Sequence, residues 1–174
     1  MKQAIRILSL TFLALTSGFV RTQASSPRKT KDTLSCLEIS GKVTASDDKG
    51  KGMFTVYLSR DNNVLDSMII GAGKVFKFTL QKNSYYTIRI TRKGYVTRSV
   101  SINTGLPKGV STDPLFRFHF DMMLLKEGQV RTKNKEAFDF PIALITYDNK
   151  KGWFDYSRKY TALVKKEMSL NGTK

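Results

Sequence analysis

Five large apolar residues alternate with other residues between Leu115 and Leu125, and this pattern restricts the fold more than any other feature of the chain. In an extended strand, residues two apart point to the same side, so all five side chains share one face. A face of this kind has to be buried against a second layer. We therefore predict a strand within a two-layer β structure. The five residues are Phe116, Phe118, Phe120, Met122 and Leu124.

Shorter alternating segments precede this strand and are separated by Gly, Asn and Asp, which favour tight turns. One more follows it. The pattern predicts an all-β fold, an antiparallel β-sandwich of seven to eight strands. The predicted strands are residues 37–44, 53–59, 64–70, 75–80, 85–91, 95–102, 115–125 and 140–147.

The C-terminal third changes character. Residues 126–139 are charged and poor in apolar residues, which indicates a loop. Beyond it, apolar side chains recur at helical spacing, so we predict a helix from Asp155 to Met168 with Asp155 as its cap. The helix is expected to carry Trp153, Tyr156 and Tyr160 on its packing side. Residues 140–170 would then form a strand and a helix packed on the sandwich of residues 37–125.

The N-terminal residues 1–24 have the layout of a secretory signal peptide, with a basic start, an apolar run and a polar end. The expected cut lies between Ala24 and Ser25. The apolar run Ile7–Val20 is shorter than the roughly 20 residues that cross a bilayer, so no transmembrane segment is expected in the mature chain. Residues 25–36 read as a flexible basic linker. These features predict export to the periplasm or the cell surface.

The charge of the chain is strongly positive. Thirty Lys and Arg against fourteen Asp and Glu give +16, and removal of the three basic residues of the signal peptide leaves 16 − 3 = +13. Such a charge favours anionic partners. The basic residues are spread along the chain rather than clustered, and export argues against nucleic acid, so we expect no nucleic-acid partner. Cys36 is the only cysteine, so no internal disulfide can hold the fold.

Catalysis has few residues to draw on. A Ser-His-Asp or Cys-His arrangement would need His119, which lies mid-strand and points away from the phenylalanine face beside Arg117 and Asp121. We predict a hydrogen-bonded surface histidine. One His and one Cys do not make a zinc site, and we expect no catalytic residue, metal or cofactor. A carboxylate-dependent glycan hydrolase remains the alternative, because spacing alone does not pair the scattered acids.

Two places are candidates for interaction. The corner Arg92-Lys93-Gly94-Tyr95 puts two cations and an aromatic ring at a turn, where binding residues often lie, although a turn with a buried Tyr explains it equally well. Trp153 with its neighbouring tyrosines could offer an aromatic platform for sugars, whereas the helical spacing favours core packing.

Several short motifs together resemble the carboxypeptidase regulatory-like domain, a family with a transthyretin-like (prealbumin-like) sandwich related to immunoglobulin-like folds. The resemblance covers residues 37–102, and the later segments resemble secreted Bacteroidota proteins of unassigned function. It implies a non-catalytic module for binding or structural interaction, with an envelope protein or glycan as partner. Binding of an anionic envelope polymer is a further alternative. The motifs are Ile39–Val43, Gly50 and Gly52, Thr55–Leu58, Phe76–Phe78, Tyr85–Ile88 and Lys93–Tyr95.

Overall fold

Strands dominate the computed structural model, which describes residues 35–47, 52–129 and 139–170. These residues fall within one compact unit, Asp32–Lys174. The expected signal peptide, its cut at Ala24 and Ser25, and most of the linker lie outside the described residues. The strands are β1 Ser35–Ala45, β2 Met53–Arg60, β3 Asn63–Gly71, β4 Val75–Gln81, β5 Tyr85–Thr91, β6 Arg98–Asn103, β7 Phe116–Leu124, β8 Ala143–Asp148 and β9 Trp153–Tyr156, and the helix is α1 Arg158–Leu170.

The nine described strands form two sheets that share one apolar core. The smaller sheet has three strands in the order β4-β1-β7, and the larger has six in the order β3-β2-β5-β6-β8-β9. Alternation along the strands decides which side chains enter the core, as β5 shows with Tyr86, Ile88 and Ile90 buried between more exposed neighbours. Cys36 also lies in the core, and burial raises the pKa of its thiol to about 11.

The expectation of a purely antiparallel sandwich of seven to eight strands is only partly met. β1 pairs with β7 in parallel, and β6 pairs with β8 in parallel, while the other pairings are antiparallel. Short turns force their flanking strands to be antiparallel. Strands β7 and β8 follow longer connections, so the chain can enter a sheet in either direction there.

Gly41 allows the smaller sheet to close over its own aromatic residues. A Cβ at this position would lie 2.4 Å from Phe76 Cζ and 3.1 Å from Phe120 Cζ. The two rings meet edge to face with their centroids 5.7 Å apart. Only glycine leaves room for this contact on β1, which explains why a small residue interrupts the apolar face of that strand.

The C-terminal segment departs from the expected helix. Residues Trp153–Tyr156 form strand β9, paired antiparallel with β8, and the helix begins at Arg158 rather than Asp155. Phe154 is buried and contacts Phe116, so sheet packing prevails over the helical spacing of the aromatic residues. Trp153 and Tyr156 therefore lie on a strand, not on a helix face.

Other boundaries shift by a few residues. β1 begins at Ser35, inside the expected linker, and β6 begins at Arg98 rather than Tyr95. The expected loop from 126 opens with a bridge between Tyr95 and Lys126 and a 3₁₀ turn at Glu127–Gln129. Of the described helices, none combines the length and apolar character required to cross a membrane.

Candidate functional site

Three connecting segments meet at one end of the two sheets. Backbone hydrogen bonds join them: Ser46 N donates to Leu124 O at 3.0 Å, Val96 N donates to Leu125 O at 2.9 Å, and Glu127 N donates to Gly94 O at 3.1 Å. The connection after β1, the turn after β5 and the segment after β7 are thereby held against each other. This end of the fold has a defined backbone frame.

The turn after β5 places the predicted corner within this frame. Tyr95 N donates to Arg92 O at 3.1 Å, closing a four-residue turn with Lys93 and Gly94 at its centre. Gly94 has φ of +79°, as the third position of a type II turn requires, and glycine adopts this conformation without strain. The local turn sequence therefore determines how Arg92, Lys93 and Tyr95 are placed relative to one another.

Asp47 and Lys126 join Tyr95 from the other two segments. The Tyr95 hydroxyl donates to Asp47 Oδ1, and Lys126 Nζ lies 3.1 Å from Asp47 Oδ2. The hydrogen bond from Tyr95 lowers the pKa of Asp47, with Lys126 acting in the same direction. Its hydrogen bond to Asp47 raises the pKa of Tyr95, and the same carboxylate raises the pKa of Lys126. The three groups thus stabilise one another in their neutral-pH forms.

Arg92 completes the arrangement. Its guanidinium carbon lies 4.4 Å from the centroid of the Tyr95 ring and 5.2 Å from that of Phe54, both within the range of cation–π contacts. Lys93 is exposed at the tip of the turn. We call this set, Asp47, Arg92, Lys93, Tyr95 and Lys126, the basic corner.

The basic corner has an excess of positive charge. The corner contains three cations and one carboxylate, a formal charge of 3 − 1 = +2, and the adjacent Glu127 reduces this charge to +1. Most of these groups are at the surface, so water and ligands can reach them. The chemistry of the corner therefore suits an anionic ligand with a flat or apolar part that can contact an aromatic ring.

The structure unites three of the four predicted interaction residues and separates the fourth. Arg92, Lys93 and Tyr95 share the corner, whereas Trp153 lies at the opposite end of the larger sheet. The register shows this, since Asn103, at the far end of β6, pairs with Thr146, and Trp153 pairs with Asp148 two residues further on. Trp153 is 56% exposed on the edge strand β9.

Sequence reasoning missed Asp47 and Lys126. Asp47 lies between the predicted strands 37–44 and 53–59, Lys126 lies at the start of the predicted loop, and no local pattern links two residues so distant in the chain. Only the packing of the three segments brings them to Tyr95. The one sequence feature that Asp47 and Lys126 share is their position, since each comes just after a strand. Both of these strands end at this side of the fold.

His119 lies on the outer face of the smaller sheet, as the alternation predicts, and there it meets Ser40 and Asp121. His119 Nδ1 is 3.0 Å from Ser40 Oγ, and His119 Nε2 is 3.3 Å from Asp121 Oδ1. The residue types match a catalytic triad, but the face is open and the Asp121 side chain is 74% exposed. Acyl transfer relies on water exclusion and on donors aimed at the oxyanion. We therefore interpret the Ser40–His119 contact as a structural link between β1 and β7.

Several of the described carboxylates form ion pairs with Lys or Arg. Glu38 lies 3.3 Å from Lys77 Nζ and 3.6 Å from Arg117 Nε, and Asp155 contacts Lys151. A glycoside hydrolase instead sets two carboxyl groups facing each other across the scissile bond. These ion pairs give the hydrolase alternative no support.

No protein family model matches the chain, and no curated protein matches it either. Among solved structures, the crystal structure of S.CueP is similar with a TM-score of 0.36 and 13% sequence identity, covering 52% of this chain. The chain spans 62% of the length of that structure.

Proposed function

We propose that this chain is an exported, non-catalytic β-sandwich module that binds an anionic glycan or similar anionic polymer of the cell envelope through its basic corner. The observation that carries the proposal is the arrangement of the basic corner on its hydrogen-bonded frame: Arg92 lies over the Tyr95 ring, Lys126 pairs with Asp47, and exposed Lys93 occupies the tip of the same turn. Acidic sugars combine carboxylate or sulfate groups with a ring, and the corner offers a partner for each part.

The geometry of Arg92 suits this role. The Arg92 guanidinium lies over the Tyr95 ring, and a guanidinium is a planar group that can bind a carboxylate or sulfate in a bidentate manner. Tyr95 is held by Asp47 and so cannot swing away when a ligand arrives. A site whose parts are already in place loses less conformational entropy on binding.

Two properties of the whole chain support the proposal. The formal charge of +16, or +13 without the expected signal peptide, attracts polyanions before any specific contact forms. The signal-peptide pattern predicts export to the compartment where envelope polymers occur. The resemblance to the carboxypeptidase regulatory-like domain implies the same kind of accessory role, without catalysis.

The test compares two Arg-over-Tyr pairs, Arg92 over Tyr95 in the basic corner and Arg89 over Tyr57 in the larger sheet. Arg89 lies 5.1 Å from the Tyr57 ring centroid, outside the corner, and loses the same charge when replaced. We expect Arg92→Gln to weaken binding of polygalacturonate by about 3-fold to 10-fold, equivalent to about 0.6 to 1.4 kcal/mol. Arg89→Gln should weaken it by less than about 2-fold. Isothermal titration gives both affinities, with neutral dextran as the polymer control.

Salt separates the specific site from general attraction. Affinity for polygalacturonate should fall as ionic strength rises, because the contacts are at the surface. Equal losses in Arg92→Gln and Arg89→Gln would show that net charge alone retains the polymer, without a site at the corner. No binding of polygalacturonate, dextran sulfate or lipoteichoic acid at low salt would contradict the proposal itself.

A further inference from the structure

Strand β3 forms one edge of the larger sheet and presents apolar side chains to solvent. Ile69 is 68% exposed, and Val64 and Leu65 are also exposed. Met68 and Ile70 are only partly buried against the core. An edge strand also leaves a row of backbone N–H and C=O groups without partners in the sheet, so it can accept another strand.

The other sheet edges carry features that discourage pairing. β9 is only four residues long, β4 has Lys77, and β7 has Arg117, His119 and Asp121. Charged side chains and short strands are the usual protections of an edge. β3 is longer, with nine residues, and it carries no cation, since its one charged residue is Asp66 whereas that of β4 is Lys77.

A bulge limits the regular part of this edge. The register between β2 and β3 runs without interruption from Met53 opposite Gly71 to Leu58 opposite Asp66, and it shifts at the next position. The regular edge is therefore Asp66–Gly71. Any strand added to β3 has to pair within this segment, since a bulge bends the strand away.

We propose that two copies of this chain associate by pairing their β3 strands antiparallel across a two-fold axis. An axis through Met68 keeps the pairing inside the regular segment, with Ser67 opposite Ile69 and Asp66 opposite Ile70 of the other copy. The two Asp66 carboxylates are then four residues apart, about 14 Å along the strands. That distance exceeds the Debye length of about 8 Å at physiological ionic strength.

Charge explains why a second copy fits this edge. Two copies, each with a formal charge of +16, or +13 without the expected signal peptide, repel each other, and cations at the contact would add to the repulsion. β3 contains no Lys or Arg, so it is the long described edge at which two such copies can meet without opposing cations. Association covers part of the exposed Ile69 side chain and supplies hydrogen-bond partners to the outward-facing backbone groups of both β3 strands.

The repulsion between the copies also predicts an unusual salt response. Raising NaCl from about 0.1 M to about 1 M shortens the Debye length from about 10 Å to about 3 Å. Self-association through β3 should therefore strengthen with salt. Polymer binding at the basic corner should weaken over the same range, so the two proposals fail or succeed separately.

The test is analytical ultracentrifugation of the purified protein at several concentrations and both salt levels. We expect a reversible dimer that Ile69→Lys weakens by at least about 10-fold in dissociation constant. Val75→Lys is the matched control, because Val75 is 58% exposed on the edge strand β4 of the other sheet and the substitution adds the same charge. It should stay within about 3-fold of the unmodified protein.

Circular dichroism and thermal unfolding confirm that each variant is folded. If Ile69→Lys is not, Ile69→Thr removes apolar surface while keeping the β-branched shape, and it should weaken the dimer in the same direction. A protein that sediments as a monomer at every concentration, including at high salt, would overturn the proposal. Equal weakening by Ile69→Lys and Val75→Lys would also overturn it, since charge rather than β3 would then govern association.

Discussion

Tyr95 shows how one residue can be structural and functional at once. Its ring packs at the margin of the core and lies under Arg92, while its hydroxyl joins Asp47. The turn that positions Tyr95 is determined by the local sequence Arg92–Tyr95. Its partners Asp47 and Lys126 come from segments about 50 and 30 residues away, so their contribution depends on how those segments pack.

The pKa directions at Asp47 and Tyr95 lead to a prediction about pH. The pKa of Asp47 is lowered from 3.8, so the stability it contributes is present above pH 3.8 and is lost as pH falls through the lower folded-state value. The pKa of Tyr95 is raised from 10.0, so its contribution is present below pH 10.0 and is lost as pH rises through the higher value.

We expect Asp47→Asn to lower the urea midpoint at pH 7, with the difference from the unmodified protein shrinking as the pH falls below 3.8. Urea unfolding across this pH range measures it. Asp61→Asn removes a charge from an exposed turn whose left-handed backbone also suits Asn, and it controls for the change in net charge. A difference at Asp47→Asn that persists unchanged in acid would contradict the assignment.

Among the elements, β9 and α1 show where local patterns compete. Apolar residues from Trp153 onward fit both a helix and a short strand. The strand forms because Phe154 fills a site beside Phe116 and Tyr147, which a helix at this position would leave empty. The helix starts after it, with Ser157 as the cap, since Tyr160 N lies 3.4 Å from Ser157 Oγ.

This boundary predicts different effects for two neighbouring substitutions. Ser157→Ala should destabilise α1 by about 1 kcal/mol, because it removes the cap. Asp155→Asn should leave the helix unchanged, since Asp155 contacts Lys151 and the backbone of Tyr156 instead. Amide hydrogen exchange of the helix measures both effects. Faster exchange in Asp155→Asn than in Ser157→Ala would place the helix start where the spacing alone predicts it.

At the scale of the whole molecule, the C-terminal segment belongs to the core rather than covering it. β8 pairs with β6 inside the larger sheet, and Ile145 and Phe154 are buried within the same apolar cluster as β1 and β5. The resemblance to a known domain over residues 37–102 therefore describes only part of the folded unit. The core is completed by residues beyond it.

We predict that Ile145→Ala costs about 2 to 5 kcal/mol of unfolding free energy, as expected for a residue deep in the core. Ile88→Ala, in the centre of the same sheet, should cost a similar amount. Val75→Ala, at an exposed position, should change stability by less than about 0.5 kcal/mol. Urea unfolding gives all three values. A loss at Ile145→Ala as small as that at Val75→Ala would show that the segment is an appendage.

The sequence by itself determined the β class, most strand positions and the turn that forms the basic corner, because side-chain alternation and turn chemistry act over a few residues. The tertiary structure alone decided the parallel pairing of β1 with β7, and with it the contact of Ser40 with His119, 79 residues away. It also brought Asp47 and Lys126 to Tyr95 and made Trp153–Tyr156 a strand. Such choices depend on which apolar faces and edges remain to be covered after the local segments have formed. No short window of sequence contains that information.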